Sequence, residues 1–234
     1  MRPSPVTLPL GGGSVLSHQR GEEIEVVDLQ ALGLNRISRG GNRLAIGATV
    51  TLQQLLESKE IPKALGAALK LEAPLNLRNS ATVGGTLMVG DGRSSFVAML
   101  LALDAMIAIH RPSAETLGLG EFLPVRQSFG RGCLITGIEL PLAVKAEFDY
   151  VSRTPADSPI VAVALAQWPS GRIRLAVGGH GKMPLLAMDG TGRDGLDAAA
   201  RNAMHDANDP WGSAEYRMDA AATLARRCLA RLSV

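Results

Sequence analysis

Two glycine clusters constrain this chain more than any other feature: Gly11-Gly12-Gly13-Ser14 and Thr82-Val83-Gly84-Gly85-Thr86. Each sits beside an apolar, β-rich stretch. A glycine-rich turn leaves backbone N–H groups uncovered, and such amides bind phosphate oxygens. Two such turns could hold the two phosphates of a dinucleotide, with Ser14, Thr82 and Thr86 adding hydroxyl donors. Neither cluster has the G-x-G-x-x-G spacing of a Rossmann turn or the G-x-x-x-x-G-K-[ST] of a P-loop. The plainer reading is a pair of tight turns between buried strands, where glycine serves close approach or positive φ. The residues alone leave both readings open.

Composition narrows the function classes. The 234 residues leave room for one large domain or two modest ones. Hydrophobic residues make up 46% and mean hydropathy is +0.13, which suits a globular core. Aromatic residues are only 3%, so Leu, Val, Ile, Ala and Met must build that core. Lys and Arg number 24 against 22 Asp and Glu, too balanced for an electrostatic nucleic-acid binder. Cys133 and Cys228 cannot form a four-cysteine zinc or iron–sulfur site within this chain, and His18, His110, His180 and His205 have no metal-site spacing. No catalytic nucleophile–base pair, carboxylate dyad or metal cluster emerges. No signal-peptide pattern and no apolar run of about 18 residues suggest export or a membrane span. The chain reads as cytoplasmic, a reducing compartment.

Segment patterns give an α+β order. Val6 to Leu10 and Ile24 to Leu29 read as strands, and Asn35 to Ser38 and Arg43 to Ile46 as a hairpin around Arg39-Gly40-Gly41-Asn42. Thr51 and Gln54 have capping-box spacing ahead of Leu52, Leu55 and Leu56. Lys63 to Leu71 and Phe96 to Leu103 read as helices, and Ala105 to His110 and Leu134 to Leu140 as strands, with Gly118 to Pro124 a connector. After Pro141, strands at Phe148 to Ser152, Ile160 to Gln167 and Ile173 to Val177 form a meander. Gly190 to Gly195 reads as a loop, Leu196 to Met204 as a helix, and the chain from Ala214 as a last helix. Its stripe Tyr216, Ala220, Leu224, Cys228, Leu232 makes Tyr216 a core anchor.

This order resembles the FAD-binding medium subunit of the molybdenum hydroxylases, the group of carbon monoxide dehydrogenase and xanthine dehydrogenase. Gly11-Gly12-Gly13-Ser14-Val15-Leu16 is similar to the family's A-G-G-[TQ]-[DS]-L loop. Val27-Asp28-Leu29 and Leu44-Ala45-Ile46-Gly47-Ala48 resemble two of its strands, and Leu100 to Ala105 matches L-L-A-L-D-A. Leu77-Arg78-Asn79-Ser80-Ala81-Thr82-Val83-Gly84-Gly85-Thr86 resembles I-R-N-x-A-T-[IL]-G-G-N, and Gly212-Ser213-Ala214-Glu215-Tyr216-Arg217 resembles the segment leading into the last helix. The resemblance implies a two-part FAD-binding domain of the molybdopterin dehydrogenase type over 1–142, then a smaller C-terminal sheet-plus-helices domain over 143–234. It implies FAD as cofactor, held by Gly11, Gly12, Gly13, Ser14, Val15, Leu16, Asn79, Thr82, Gly84, Gly85, Thr86, Ser94 and Ser95. It also implies two partners, an iron–sulfur small subunit that delivers electrons and a molybdopterin large subunit where they originate.

The departures carry information too. Only ten residues precede Gly11 where the family has a further strand and helix, so a shortened first part is expected. Thr86 stands where the family has Asn, and Ser95 where it has an Asp that contacts the cofactor ribose. Asp149 replaces a Lys found near the flavin in some members, and His180-Gly181-Lys182 replaces V-A-P. These changes motivate an alternative, a member without FAD that serves as an assembly module. Arg78, Asp104, Arg153 and Asp157 read more simply as structural clamps and ion pairs than as cofactor contacts.

Overall fold

A computed structural model describes residues 7–17, 24–129 and 132–233. His18, Val6 and the proline-rich start lie outside the described residues. Strands β1 (Thr7–Leu10) and β2 (Glu25–Asp28) pair in parallel, Thr7 opposite Glu25 and Leu10 opposite Asp28. The expected hairpin follows as β3 (Ile37–Gly40) and β4 (Arg43–Gly47), turning at Gly41, whose φ of +58° favours glycine. Four helices come next: α1 (Leu52–Glu57), α2 (Lys63–Glu72), α3 (Leu75–Arg78) and α4 (Val83–Val89). The capping box forms: Thr51 Oγ1 accepts from Gln54 N at 3.1 Å, and Gln54 Oε1 from Thr51 N at 2.9 Å. Then come α5 (Ser95–Ala102), β5 (Met106–Arg111), β6 (Ser113–Gly118), α6 (Leu119–Val125) and β7 (Leu134–Pro141). Strands β3 to β7 make one antiparallel sheet in the order β3-β4-β7-β5-β6.

A second antiparallel sheet, order β11-β10-β9-β8, is built from β8 (Lys145–Val151), β9 (Val161–Gln167), β10 (Arg172–Gly178) and β11 (Leu185–Thr191). Helices α7 (Leu196–Asn202) and α8 (Ala214–Leu232) cover one face. Helix α5, all of whose residues are buried, covers the other. The alternation of β9 explains this arrangement. Ala162, Ala164 and Ala166 point to the core shared with α5, and Val161, Val163 and Leu165 to the core shared with α8. Small side chains on one face let a fully apolar helix lie close to the sheet.

Four sequence expectations are corrected. The expected connector Gly118 to Pro124 is instead the N-cap and body of α6 (Leu119–Val125), started where Glu121 Oε2 accepts from Gly118 N at 3.2 Å. Ser113–Gly118 is an unanticipated strand, with few apolar residues, that pairs with β5. Gly190 and Thr191 belong to β11 rather than to a loop. Tyr216 is 46% exposed, whereas its neighbour Arg217 is fully buried. The buried stripe of α8 instead runs through Arg217, Ala221, Leu224, Ala225, Cys228 and Leu232.

Candidate cofactor site

The two glycine clusters meet. The loop after β1 lies on the segment leading into α4, so close that a Cβ on Gly12 would stand 1.6 Å from the Ser80 carbonyl oxygen. A Cβ on Gly11 would stand 2.8 Å from Thr82 Oγ1. Only glycine allows this approach without displacing backbone. Gly13 adopts φ of +73° and starts a turn in which Ser17 N donates to its carbonyl at 2.9 Å.

The second cluster differs from its sequence reading. It is the first turn of α4, not a loop, with Thr82 as N-cap. Its amides are spent: Val83 N donates to Val50 O and Gly84 N to Ala48 O, each at 2.9 Å, and Gly85 N to Thr82 Oγ1 at 3.2 Å. Gly84 is needed because a Cβ there would meet the Ala48 Cβ at 2.9 Å. This cluster offers a close-packed surface, whereas the first offers amides. Among the described residues, no backbone or side-chain acceptor takes a hydrogen bond from the N–H groups of Gly11 to Leu16.

Two clefts share Gly11, Gly12 and Thr82. The apolar one, about 310 Å³, takes its walls from Leu8, Gly13 to Leu16, Gly84, Gly85, Met88, Val89, Phe122, Phe129, Cys133 and Ile135. Its volume falls within the range of roughly 300–1,000 Å³ of ligand pockets. The polar one, about 450 Å³, is lined by Gln30, Asn35, Thr49, Thr51, Gln54, Asn79 and Ser80. Among the described residues, neither cleft is lined by an ionisable side chain other than the Cys133 thiol, whose pKa burial pushes up. The polar groups that the described lining offers an anionic ligand are backbone amides, side-chain amides and hydroxyls.

Of the residues singled out from sequence, Gly11 to Leu16, Thr82, Gly84 and Gly85 line the apolar cleft, and Asn79 lines the polar one. Three others line neither cleft. Thr86 is buried inside α4 and donates from Oγ1 to Thr82 O at 2.9 Å. Ser94 caps α5, accepting from Val97 N at 3.1 Å and donating to Glu72 Oε1 at 2.9 Å. Ser95 is 1% exposed, and its hydroxyl has no partner among the described residues. Residues read as structural behave so: Arg78 Nε donates to Gln53 Oε1 at 3.0 Å, and its NH1 to Ala73 O at 2.7 Å. Asp149 pairs with Arg227 at 3.0 Å and Arg231 at 3.1 Å, which gives its negative charge a local use. Arg153 lies 3.8 Å from Asp157 and stacks over Trp211. The cleft residues Phe122, Phe129, Met88 and Cys133 carry no sequence signal, because single apolar residues become a wall only through the fold.

Comparison with known proteins settles the family. Residues 4–143 match the model of the FAD binding domain in molybdopterin dehydrogenase. The chain belongs to this family. As a family FAD-binding chain, it is 30% identical over 232 residues to the 6-hydroxypseudooxynicotine dehydrogenase complex subunit alpha of Paenarthrobacter nicotinovorans, covering 88% of this chain and 78% of that protein. It is 28% identical over 201 residues to the glyceraldehyde dehydrogenase medium chain of Sulfolobus acidocaldarius, covering 78% and 71%. The fold matches that of a chain of reconstituted CO dehydrogenase from Oligotropha carboxidovorans, with a TM-score of 0.81, 24% identity and coverage of 97% and 89%. The cofactor of this family is FAD, and the residues present fit it. Uncommitted amides beside an apolar cleft suit a molecule that joins flat rings through a pyrophosphate.

Proposed function

We propose that this chain is the FAD-binding electron-transfer subunit of a molybdenum hydroxylase-type oxidoreductase, acting in the cytoplasm beside an iron–sulfur small subunit and a molybdopterin large subunit. The observation that carries the reading is the loop Gly11–Leu16, held against Ser80 and Thr82 in the wall of the apolar cleft, with amides that no described residue accepts from. FAD, when bound, would supply the redox chemistry of the complex. The chain itself binds and orients. Gly11 to Leu16 donate N–H groups, Thr82 and Asn79 add polar contacts, and Gly84 and Gly85 keep the α4 wall flat. Thr86 holds the α4 wall from inside the helix, Ser94 caps α5, and Ser95 lies buried outside both clefts. Phe122, Phe129, Met88 and Val89 exclude water. In this reading residues 1–142 form the FAD-binding domain and 143–234 the C-terminal domain.

Two observations support partners. The relatives are named as a complex subunit and a medium chain. The two cysteines of this chain cannot ligate a four-cysteine cluster by themselves. The alternative of a cofactor-free assembly module gains nothing from the family match, which is to an FAD binding domain. The test is purification of the tagged full chain from its own host, followed by assay of flavin, iron and molybdenum. Co-purification of all three is expected. A chain that comes out with iron and molybdenum but colourless after their removal would favour the assembly module, and a chain that comes out alone would contradict both.

A further inference from the structure

We propose that Arg126 is a positioning residue for the cofactor cleft, locking its two walls together and tying them to the second sheet. The proposal rests on the FAD reading above. Arg126 is 5% exposed and, among the described residues, donates only to backbone carbonyls: to Leu87 O at 3.0 Å, Gly90 O at 2.5 Å and Lys182 O at 2.9 Å. Leu87 and Gly90 flank Met88 and Val89, which line the apolar cleft at the end of α4. The last carbonyls of a helix have no partner within it, and a cation is favoured there. One guanidinium thus satisfies the end of the helix whose start faces the glycine loop.

Arg126 also sits in the opposite wall. Phe122 and Phe129 flank it in the chain, line the same cleft, and pack with ring centroids 5.2 Å apart. Its third bond reaches the Gly179–Lys182 turn, which does not line the cleft. That turn is clasped from a second side, where Gly92 N donates to Gly181 O at 2.9 Å and Gly179 N to Gly92 O at 2.6 Å. Lysine cannot replace this geometry, because a point ammonium does not span three carbonyls as a planar fork does.

The test uses the full chain, with FAD as the probe. Arg126→Lys and a control, Arg174→Lys, are compared by FAD titration and by thermal melting without FAD. Arg174 is equally buried and donates to Leu101 O at 3.1 Å and to Asp189 Oδ2 at 2.6 Å, but it lines neither cleft and bonds no residue of the Gly179–Lys182 turn. Arg126→Lys is expected to weaken FAD binding by about tenfold or more, the scale of one charged hydrogen bond. Arg174→Lys is expected to lower the melting temperature while leaving FAD affinity within about twofold. An Arg126→Lys protein that melts lower but binds FAD like wild type overturns the proposal. Hydrogen exchange on the wild type serves if the variant does not fold: FAD should slow exchange in residues 179–182, and unchanged exchange there overturns the coupling. Wild-type protein that ignores FAD would refute the FAD reading, which is a separate outcome.

Discussion

At the scale of single residues, the account turns on which glycines are replaceable. Gly12 faces the Ser80 carbonyl, where an added Cβ would stand at 1.6 Å, so Gly12→Ala must push the loop off its seat. FAD affinity should fall by about tenfold or more with little change in melting, since the loop is largely at the surface. Gly41 is the contrast. Its φ is +58° with open space around it, so Gly41→Ala should cost about 1 kcal/mol of stability and leave FAD titrations unchanged. Sequence motifs marked both clusters but could not separate their roles. The Gly84-Gly85 pair reads as a turn because glycine is a poor helix former. Contact with Ala48 decides otherwise, and that contact is absent from any local pattern. Arg126 and Arg217 were equally hidden, because a periodicity argument treats arginine as a surface residue.

At the scale of elements, caps and ion pairs set the pH response. Glu72, at the end of α2, accepts from Ser94 Oγ and from Phe96 N, each at 2.9 Å, and so closes the start of α5. Burial raises its pKa above the ordinary 4.5, against the lowering effect of those bonds. A raised folded value means stability that is present below the unfolded pKa and lost as pH rises through the folded one. Urea melts of wild type against Glu72→Gln should therefore shift against wild type from pH 4.5 upward and level off above the folded value. A pH-independent difference would contradict this.

The link between β10, β11 and the end of α5 titrates the other way. Arg172 grips Asp189 with two bonds of 2.8 Å, and Arg174 reaches Asp189 at 2.6 Å and Asp104 at 3.0 Å. These contacts, the Arg172 bonds first, hold the Asp189 pKa below 3.8. Asp189→Asn should destabilise by about 1–2 kcal/mol at neutral pH, after allowance for solvent screening. The gap should close as pH falls below 3.8 and through the folded value, because the stabilising ion is then lost in wild type too. A gap that persists at low pH would show that shape, not charge, matters there. Elements with strong local signals were legible, such as the Thr51 capping box and the Gly41 turn. β6 and β11 were not, since Ser113 to Gly118 lacks apolar alternation and Asp189-Gly190 reads as a breaker. Pairing with β5 and β10 makes them strands.

At the scale of the whole molecule, the loop after β1 and the five-stranded sheet with its helices carry the cleft, and the four-stranded sheet is tied to them by the Gly179–Lys182 turn. The order of elements and the family were readable because many short matches fall in register along the chain. How the clusters meet was not, because the contact between Gly12 and Ser80 joins segments nearly seventy residues apart. The central claim is that this meeting point holds FAD. The direct measurement is titration of the purified full chain with FAD, followed by absorbance at about 450 nm after removal of free cofactor. The expected result is retention of one FAD per chain with micromolar or tighter affinity, about −8 kcal/mol, and weaker retention in Gly12→Ala. A folded chain that leaves FAD unbound at concentrations on the order of 100 µM would contradict it.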